Sequence, residues 1–409
     1  MIWVIGKIHS SLASYLSENS IPFGIFADTT LNAKPYHALR VETLRLDSLA
    51  GITEQLDQLK LQDVTSVTVS GYDNYVVAAS YIAAYYGLPG LSVTAAQAAT
   101  DKTLMRAAFM AHDPTITPTF ASVRRWREVE EFLETTSFPV VLKPAGLMKS
   151  LYVTKNSNLA ELRANYTKLT SELAGAYGKY NAIGTPGIII EEFLVGSMHT
   201  VGGFVDAARE TTLMPMIADC LQASDIGVDD TYLFARSLPS AASNEVAAQI
   251  VDVARRGIAA LQLTSCPVHV EIMYTSSGPK IIEIGARTGG YRPYMYSESY
   301  GIDLYGAQIA NAAGKTVGQL RASKELNCCV VELFPKQKGK FKRLSRKASI
   351  TTLPTLARIH ITAKPGEIIG RAQDGYKAAA LLVLADASIT QIKLDLDYIK
   401  SCTVFTTEL

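Results

Sequence analysis

Residues 266–294, CPVHVEIMYTSSGPKIIEIGARTGGYRPY, constrain this chain more than any other stretch. Two apolar runs flank Ser276-Ser277-Gly278-Pro279, a turn-forming cluster. In the first run Val268, Val270 and Ile272 alternate with His269, Glu271 and Met273, which predicts a strand with two unlike faces. In the second, Ile282 and Ile284 alternate with Ile281 and Glu283. A turn centred on Ser277 places Glu271 opposite Glu283 on one face. Carboxylates so opposed, with Cβ atoms roughly 4.5–5.5 Å apart, repel each other and destabilise a sheet. A cation between them removes that cost. Oxygen-only ligands on a rigid sheet suit Mg²⁺, which takes one or two carboxylates plus substrate phosphates. Arg287 follows as the strand enters Thr288-Gly289-Gly290, an always-charged forked donor beside the proposed metal. The plainer alternative is a surface hairpin with two solvated glutamates, and one bulge would separate the pair.

At 409 residues the chain is long enough for several domains and a large core. It is 48% hydrophobic and 19% charged, which argues for a compact globular protein and against disorder. The formal net charge of +1 gives no bulk field to draw it to nucleic acid or a membrane surface. Five cysteines, at 220, 266, 328, 329 and 402, are odd in number and lack CxxC spacing, so no disulfide framework or zinc site is expected and a reducing, cytoplasmic setting fits. MIWVIGKIHSS reads as a first β-strand rather than a signal peptide, and no apolar run is long enough to span a bilayer.

Residues 1–100 alternate short apolar strands (2–5, 23–27, 66–70) with helical patterns (10–19, 74–86), a βαβ rhythm that predicts a small parallel sheet. Only Gly6 stands where a dinucleotide site needs G-x-G-x-x-G, so hydride transfer is disfavoured. Ser70-Gly71-Tyr72-Asp73-Asn74, at a strand's C-terminal end, is placed to touch a ligand or to cap a helix. Asp101 reads as the N-cap of a helix with an apolar stripe of Leu104, Ala107, Ala108 and Ala111. Lys102 then sits in the first turn, against the helix dipole. Lys143 ends the apolar run FPVVLKP, and a buried lysine needs a partner, either a phosphate or a buried glutamate. Residues 145–150 read as a lid carrying Lys149 and Ser150, with 165–187 beside it; the stretch 159–187 reads as helical, then as a Gly/Tyr-rich mobile loop from AGAYGKYNAIGTPG onward.

Further along, GIIIEEFL is a buried strand running into Glu191-Glu192 and a turn, 200–206 pairs with 212–218, and 225–230 is an acidic loop. Val246, Ile250, Val253, Ala254, Gly257, Ile258 and Leu261 recur at helical spacing behind Ser243, a scaffold helix. Another helix spans 303–313, and residues 328–409 form a β-rich module with a last helix over 389–399. The basic run from Lys336 to Lys347 carries a single interleaved aromatic, Phe341, and reads as a solvated hairpin with a lesser claim to an anionic ligand.

In order and spacing these pieces resemble the ATP-grasp superfamily, specifically its carboxylate–amine ligases of the L-amino-acid (dipeptide) ligase kind. The pieces are Asp101-Lys102, Lys143, Glu191-Glu192-Phe193-Leu194, Glu271, Glu283 and Arg287-Thr288-Gly289-Gly290. The resemblance implies an α/β, partly α+β, ATP-grasp fold: an N-terminal βαβ domain (1–100), two core subdomains (101–190 and 191–327) and the C-terminal module (328–409). It implies ATP with Mg²⁺ or Mn²⁺, a small-molecule carboxylate and an amine as substrates, and neither nucleic-acid nor membrane partners; a homodimer is compatible with it. Lys102 and Lys143 look like the phosphate-contacting lysines, Lys143 also acting in catalysis. Lys149 and Ser150 look like side-chain donors in the phosphate loop. Glu191, Glu192, Phe193 and Leu194 look like the adenine hinge, and Glu271 and Glu283 like the metal ligands. Arg287 looks like the residue that neutralises the substrate carboxylate or acyl phosphate.

Three departures stand out. The loop Ala145–Ser150 has one glycine where the family has several, and fewer glycines mean fewer nest-like conformations for cradling phosphate. Met198-His199 replaces the family's ribose-binding acid, with His199 the substitute candidate. Gly285 stands where an asparagine often follows the second metal glutamate. The expected activity is ATP-dependent amide ligation through an acyl phosphate. Biotin-carboxylase-like carboxylation and a non-catalytic nucleotide-binding protein are the alternatives.

Overall fold

The computed structural model describes all residues except 29–36, 47, 148–150, 180–183, 222–232, 336, 346, 372–375, 402–404 and 409, and the backbone alone at 221, 233–236, 400 and 405–408. The acidic loop, Lys149, Ser150, Lys336, Arg346 and Cys402 lie outside the described residues.

The N-terminal sheet is parallel. Ile2–Ile5 lies between Phe23–Asp28 and Ser66–Val69, and Arg40–Leu44 extends the sheet beyond Phe23–Asp28. All residues of Ile2–Ile5, Phe23–Asp28 and Ser66–Val69 are buried, as the near-continuous apolar runs of a helix-covered parallel sheet require. The strand order reverses at Ile2–Ile5, so the loops after Ile5 and after Val69 diverge at the C-terminal edge, the position where open α/β sheets hold ligands. That edge abuts the central hairpin: an added Cβ at Gly71 would lie 3.3 Å from the Thr288 carbonyl oxygen.

A four-stranded antiparallel sheet follows, ordered Phe120–Val123, Ile188–Glu192, Val140–Pro144, Thr154–Asn156. The helix Leu159–Lys179 covers it, burying Leu162, Tyr166, Leu169, Leu173, Ala176 and Tyr177. The helix expected from Leu159 therefore runs on into the Gly/Tyr-rich stretch, as far as Lys179. Six inward side chains at helical spacing outweigh the weak helix preference of Gly175 and Gly178.

The third sheet has nine strands and runs from Gly278–Gly285 through Cys266–Thr275 and Gly196–Val205 to Ala380–Asp386 and Leu356–Ile361. Asn327–Leu333 bonds Leu233–Leu238 on one side and Ala380–Asp386 on the other, so the sheet passes continuously across residue 327. Gly196–Val205 pairs with Thr211–Leu213, as expected, and also with Ala218–Leu221. The helix Asn244–Ala260, capped by Ser243 accepting from the Val246 amide, packs on the hairpin. Its Gly257 permits close approach: an added Cβ there would lie 2.2 Å from Ile281 Cδ1. One core joins Trp3 and Ile82 of the N-terminal domain to Phe109, Ile250, Ile272 and Ile284, which fixes the parallel sheet against the hairpin. Among the described residues no helix is long and apolar enough to cross a membrane.

Candidate active site

Cys266–Thr275 and Gly278–Gly285 are antiparallel with Glu271 opposite Glu283, the pairing the sequence predicts. The route to it differs. The turn is Ser276-Ser277 alone, which by itself would set Glu283 opposite Val270 and carry it onto the core face. The register shifts by one between Glu271 and Ile272, leaving Ile282 as an extra residue without a partner on that strand. The bulge therefore creates the glutamate pair rather than separating it. Arg106 stabilises the irregularity: its Nη2 donates to the Ile282 carbonyl at 2.7 Å.

Glu271 and Glu283 keep side-chain exposures of 31% and 29%, so both remain reachable. Lys102 Nζ lies 3.3 Å from Glu283 Oε1 and donates to the Leu147 carbonyl at 3.0 Å. His269 Nε2 lies 3.4 Å from Glu271 Oε1, and burial pushes the imidazole down to about 4, so it brings no positive charge at neutral pH. Two opposed carboxylates with oxygen donors fit a Mg²⁺ ion that draws its other ligands from phosphate and water. No larger metal-binding cluster of His, Cys, Asp and Glu occurs among the described residues.

Deeper in, Glu191 is held by two cations. Arg106 Nε lies 2.8 Å from Oε1 and Lys143 Nζ 2.6 Å from Oε2. Burial raises the Glu191 pKa, but the two positive neighbours outweigh it and hold the carboxyl at about 2. Burial pulls Lys143 below its ordinary value, with Glu191 opposing that and Arg106 and Lys102 adding to it. Of the two partners the sequence leaves open for Lys143, the glutamate is present. The carboxylate of Glu191 thus positions Lys143. The Glu192 and Phe193 amides donate to Thr119 and Pro139 carbonyls at 3.0 and 3.2 Å. Lys155 Nζ sits 4.1 Å over the Phe193 ring.

The helix Lys102–His112 corrects its expected stripe. It buries Lys102, Met105, Arg106 and Phe109, whereas Leu104 is 48% exposed and Ala107 and Ala111 face solvent. Cations take the inward face because Glu283 and Glu191 wait there. Arg106 was missed; its signal is the i, i+3, i+4, i+7 spacing it shares with Lys102, Met105 and Phe109.

His199 is also corrected. Gly196–Val205 runs in unbroken register with Cys266–Thr275, with Thr200 opposite Glu271 and His199 opposite Ile272. Side chains alternate, so His199 lies on the far face from Glu271 while Met198 and Met273 share the face of Glu271. There His199 Nδ1 meets Asp219 Oδ1 at 2.8 Å and Nε2 meets Ser197 Oγ at 2.7 Å. Arg287 is not open-ended either: Nε and Nη2 donate to the two Asp73 oxygens at 3.0 and 2.8 Å. The Ser70–Asn74 segment thus reaches the site by orienting Arg287.

Comparison with known proteins agrees with this geometry. Residues 136–293 match the ATP-grasp domain family. The L-amino acid ligase of Bacillus licheniformis superposes with a TM-score of 0.80 over 100% of this chain and 99% of its own, at 16% identity. The chain has an ATP-grasp fold and resembles the superfamily's carboxylate–amine ligases. An uncharacterised protein of Sinorhizobium fredii, y4rH, is 24% identical over 84% of this chain and 68% of its own length. The alanine–anticapsin ligase of Bacillus subtilis is 26% identical over 53% of this chain, which spans only 48% of that relative.

Proposed function

We propose that the protein is an ATP-dependent carboxylate–amine ligase that forms an amide bond through an acyl phosphate and releases ADP and phosphate. The observation that carries this reading is the bulge-made Glu271–Glu283 pair with Lys102 against Glu283. Residues 1–100 serve as the N-terminal domain, 101–190 and 191–327 as the two core halves that close on nucleotide, and 328–409 as the C-terminal module. Mg²⁺ or Mn²⁺ held by Glu271 and Glu283 supplies charge neutralisation to the phosphate oxygens.

The chain's own groups do the rest by positioning and electrostatics, which phosphoryl transfer mainly needs. Lys102 and Lys143 bind the phosphates. Glu191 and Arg106 keep Lys143 in place before nucleotide arrives. The backbone at Leu194 and the thioethers of Met198 and Met273 meet the base and sugar. A carboxylate oxygen of the acid substrate attacks the γ-phosphorus and ADP departs. The amine then attacks the acyl carbon and phosphate leaves. Arg287, oriented by Asp73, stabilises the oxyanion formed in that step.

A screen of ADP release with Mg²⁺ over pairs of amino acids, with a bicarbonate arm, tests the proposal. Amine-stimulated release by the wild type, lost in Glu283→Gln, is expected. Release stimulated by bicarbonate alone would assign carboxylation instead. Nucleotide binding without stimulated release would make the chain a non-catalytic binder.

A further inference from the structure

We propose that Ser197 is an activated nucleophile, with His199 as its base, and that it accepts acyl groups from esters at a second site remote from the nucleotide. The inference goes beyond the ligase reading above and does not depend on it.

Ser197, His199 and Asp219 form a row on one face of the nine-stranded sheet. Ser197 and His199 are two residues apart on the strand Gly196–Val205, so their side chains share a side. Asp219 is paired directly with His199 across the ladder to Ala218–Leu221. Ser197 Oγ lies 2.7 Å from His199 Nε2, and His199 Nδ1 lies 2.8 Å from Asp219 Oδ1. A hydroxyl, an imidazole and a carboxylate joined in that order, through the two different ring nitrogens, are the arrangement that activates a serine.

The carboxylate end is fixed in place. Ser240 Oγ donates to Asp219 Oδ1 and accepts from the Ala242 amide at 3.1 Å, and the Ala241 amide donates to Asp219 Oδ2 at 2.8 Å. Burial pushes the Asp219 carboxyl up, but hydrogen bonds from His199, Ser240 and Ala241 outweigh it and hold the group below its ordinary value. An ionised carboxylate only accepts, so Nδ1 carries the ring proton and Nε2 of the neutral imidazole accepts from Ser197. That tautomer is the one able to take the serine's proton.

Exposure divides the row in the way an incoming electrophile requires. His199 is 4% exposed, whereas Ser197, Gly196 and Val195 are all exposed. The base is therefore sealed and oriented while the nucleophile is reachable. Val195, two residues before Ser197, offers apolar surface for an acyl chain. The same alternation that puts Ser197 and His199 on this face puts Glu271 on the other, so the two sites use opposite faces of one strand. In the first step Ser197 Oγ bonds the ester's carbonyl carbon and its proton passes to His199 Nε2. The carbon–oxygen bond to the alcohol then breaks, and the alcohol leaves with that proton. Water attacks the acyl carbon in turn, gives a proton to Nε2, and releases the acid as Ser197 regains its hydrogen.

The test exposes the full chain to an alkyl fluorophosphonate and, separately, to p-nitrophenyl acetate. Both are run without ATP or Mg²⁺, so that the ligase reading is not engaged. Peptide mass spectrometry is expected to find the phosphonyl group on Ser197 ahead of the chain's other serines. Release of p-nitrophenolate should exceed that of Ser197→Ala, a change at an exposed position that spares the fold. His199→Gln should slow labelling by about 100-fold or more, the worth of a general base. Asp219→Asn should slow it as well, and Asp219→Glu should restore part of the rate. Labelling of Ser197 no faster than of other exposed serines overturns the proposal, as does a rate unchanged in His199→Gln. Equal p-nitrophenolate release by Ser197→Ala overturns it too, and that comparison stands even where the His199 variant fails to fold.

Discussion

Two carboxylate clusters meet the one helix Lys102–His112 and are solved in opposite ways. Glu191 is sealed and has two cations on its two oxygens. Glu271 and Glu283 face each other about one-third exposed, with one lysine against one of them. In the first cluster both carboxylate oxygens are paired, and it serves as scaffold. The second stays reachable from outside, which is what a cation site requires. Arg106 links the two, since Nε binds Glu191 while Nη2 holds the bulge that makes the glutamate pair.

Breaking the completed cluster should have the largest effect. Arg106→Met leaves the bulge carbonyl without its donor and Glu191 with one cation, at a cost of about 3–5 kcal/mol in urea unfolding. A loss under about 1 kcal/mol would show that the trio is not the anchor described here. On the open cluster, Glu283→Gln should lower Mg²⁺-dependent turnover by about 100-fold or more. The same change should leave stability level or slightly improved, because like charges opposed on a sheet cost about 0.2–1 kcal/mol. A variant with normal turnover would remove Glu283 from the metal site.

The contrast also has a pH signature. Glu191 at about 2 in the fold, against about 4.3 unfolded, is a depressed carboxyl. Its contribution is fully present above the unfolded value and disappears as pH falls from there through about 2. Glu191→Gln should flatten stability against pH in that window; an unchanged slope would mean that Arg106 and Lys143 do not hold the charge. Smallest should be Asp73→Asn, which loosens the Arg287 fork at about 1–3 kcal/mol in stability. It should slow amide formation more than nucleotide binding, which single-turnover kinetics can separate.

Much of the site was readable in order along the chain, because alternation and turn chemistry are local. Glu271 and Glu283, the Lys143 strand end and the Ser243-capped helix follow from spacing alone. The turn centre did not: a two-residue turn plus a bulge gives the same pairing as a wider turn, and only the ladder separates them. His199 sits one residue from Met198, and which of them shares the face of Glu271 depends on register with a strand some seventy residues away. The helix after Asp101 hid its inward face because apolar spacing is blind to charges that are buried in pairs.

The sequence by itself determined that two acidic side chains could meet across a hairpin, near two lysines at element ends. Tertiary structure decided which charges are spent on one another. Glu191 pairs with both Arg106 and Lys143, and Asp73 holds Arg287. The reason is physical: periodicity records which face a residue takes on its own element, whereas charge compensation is settled between elements distant in the chain and adjacent in space.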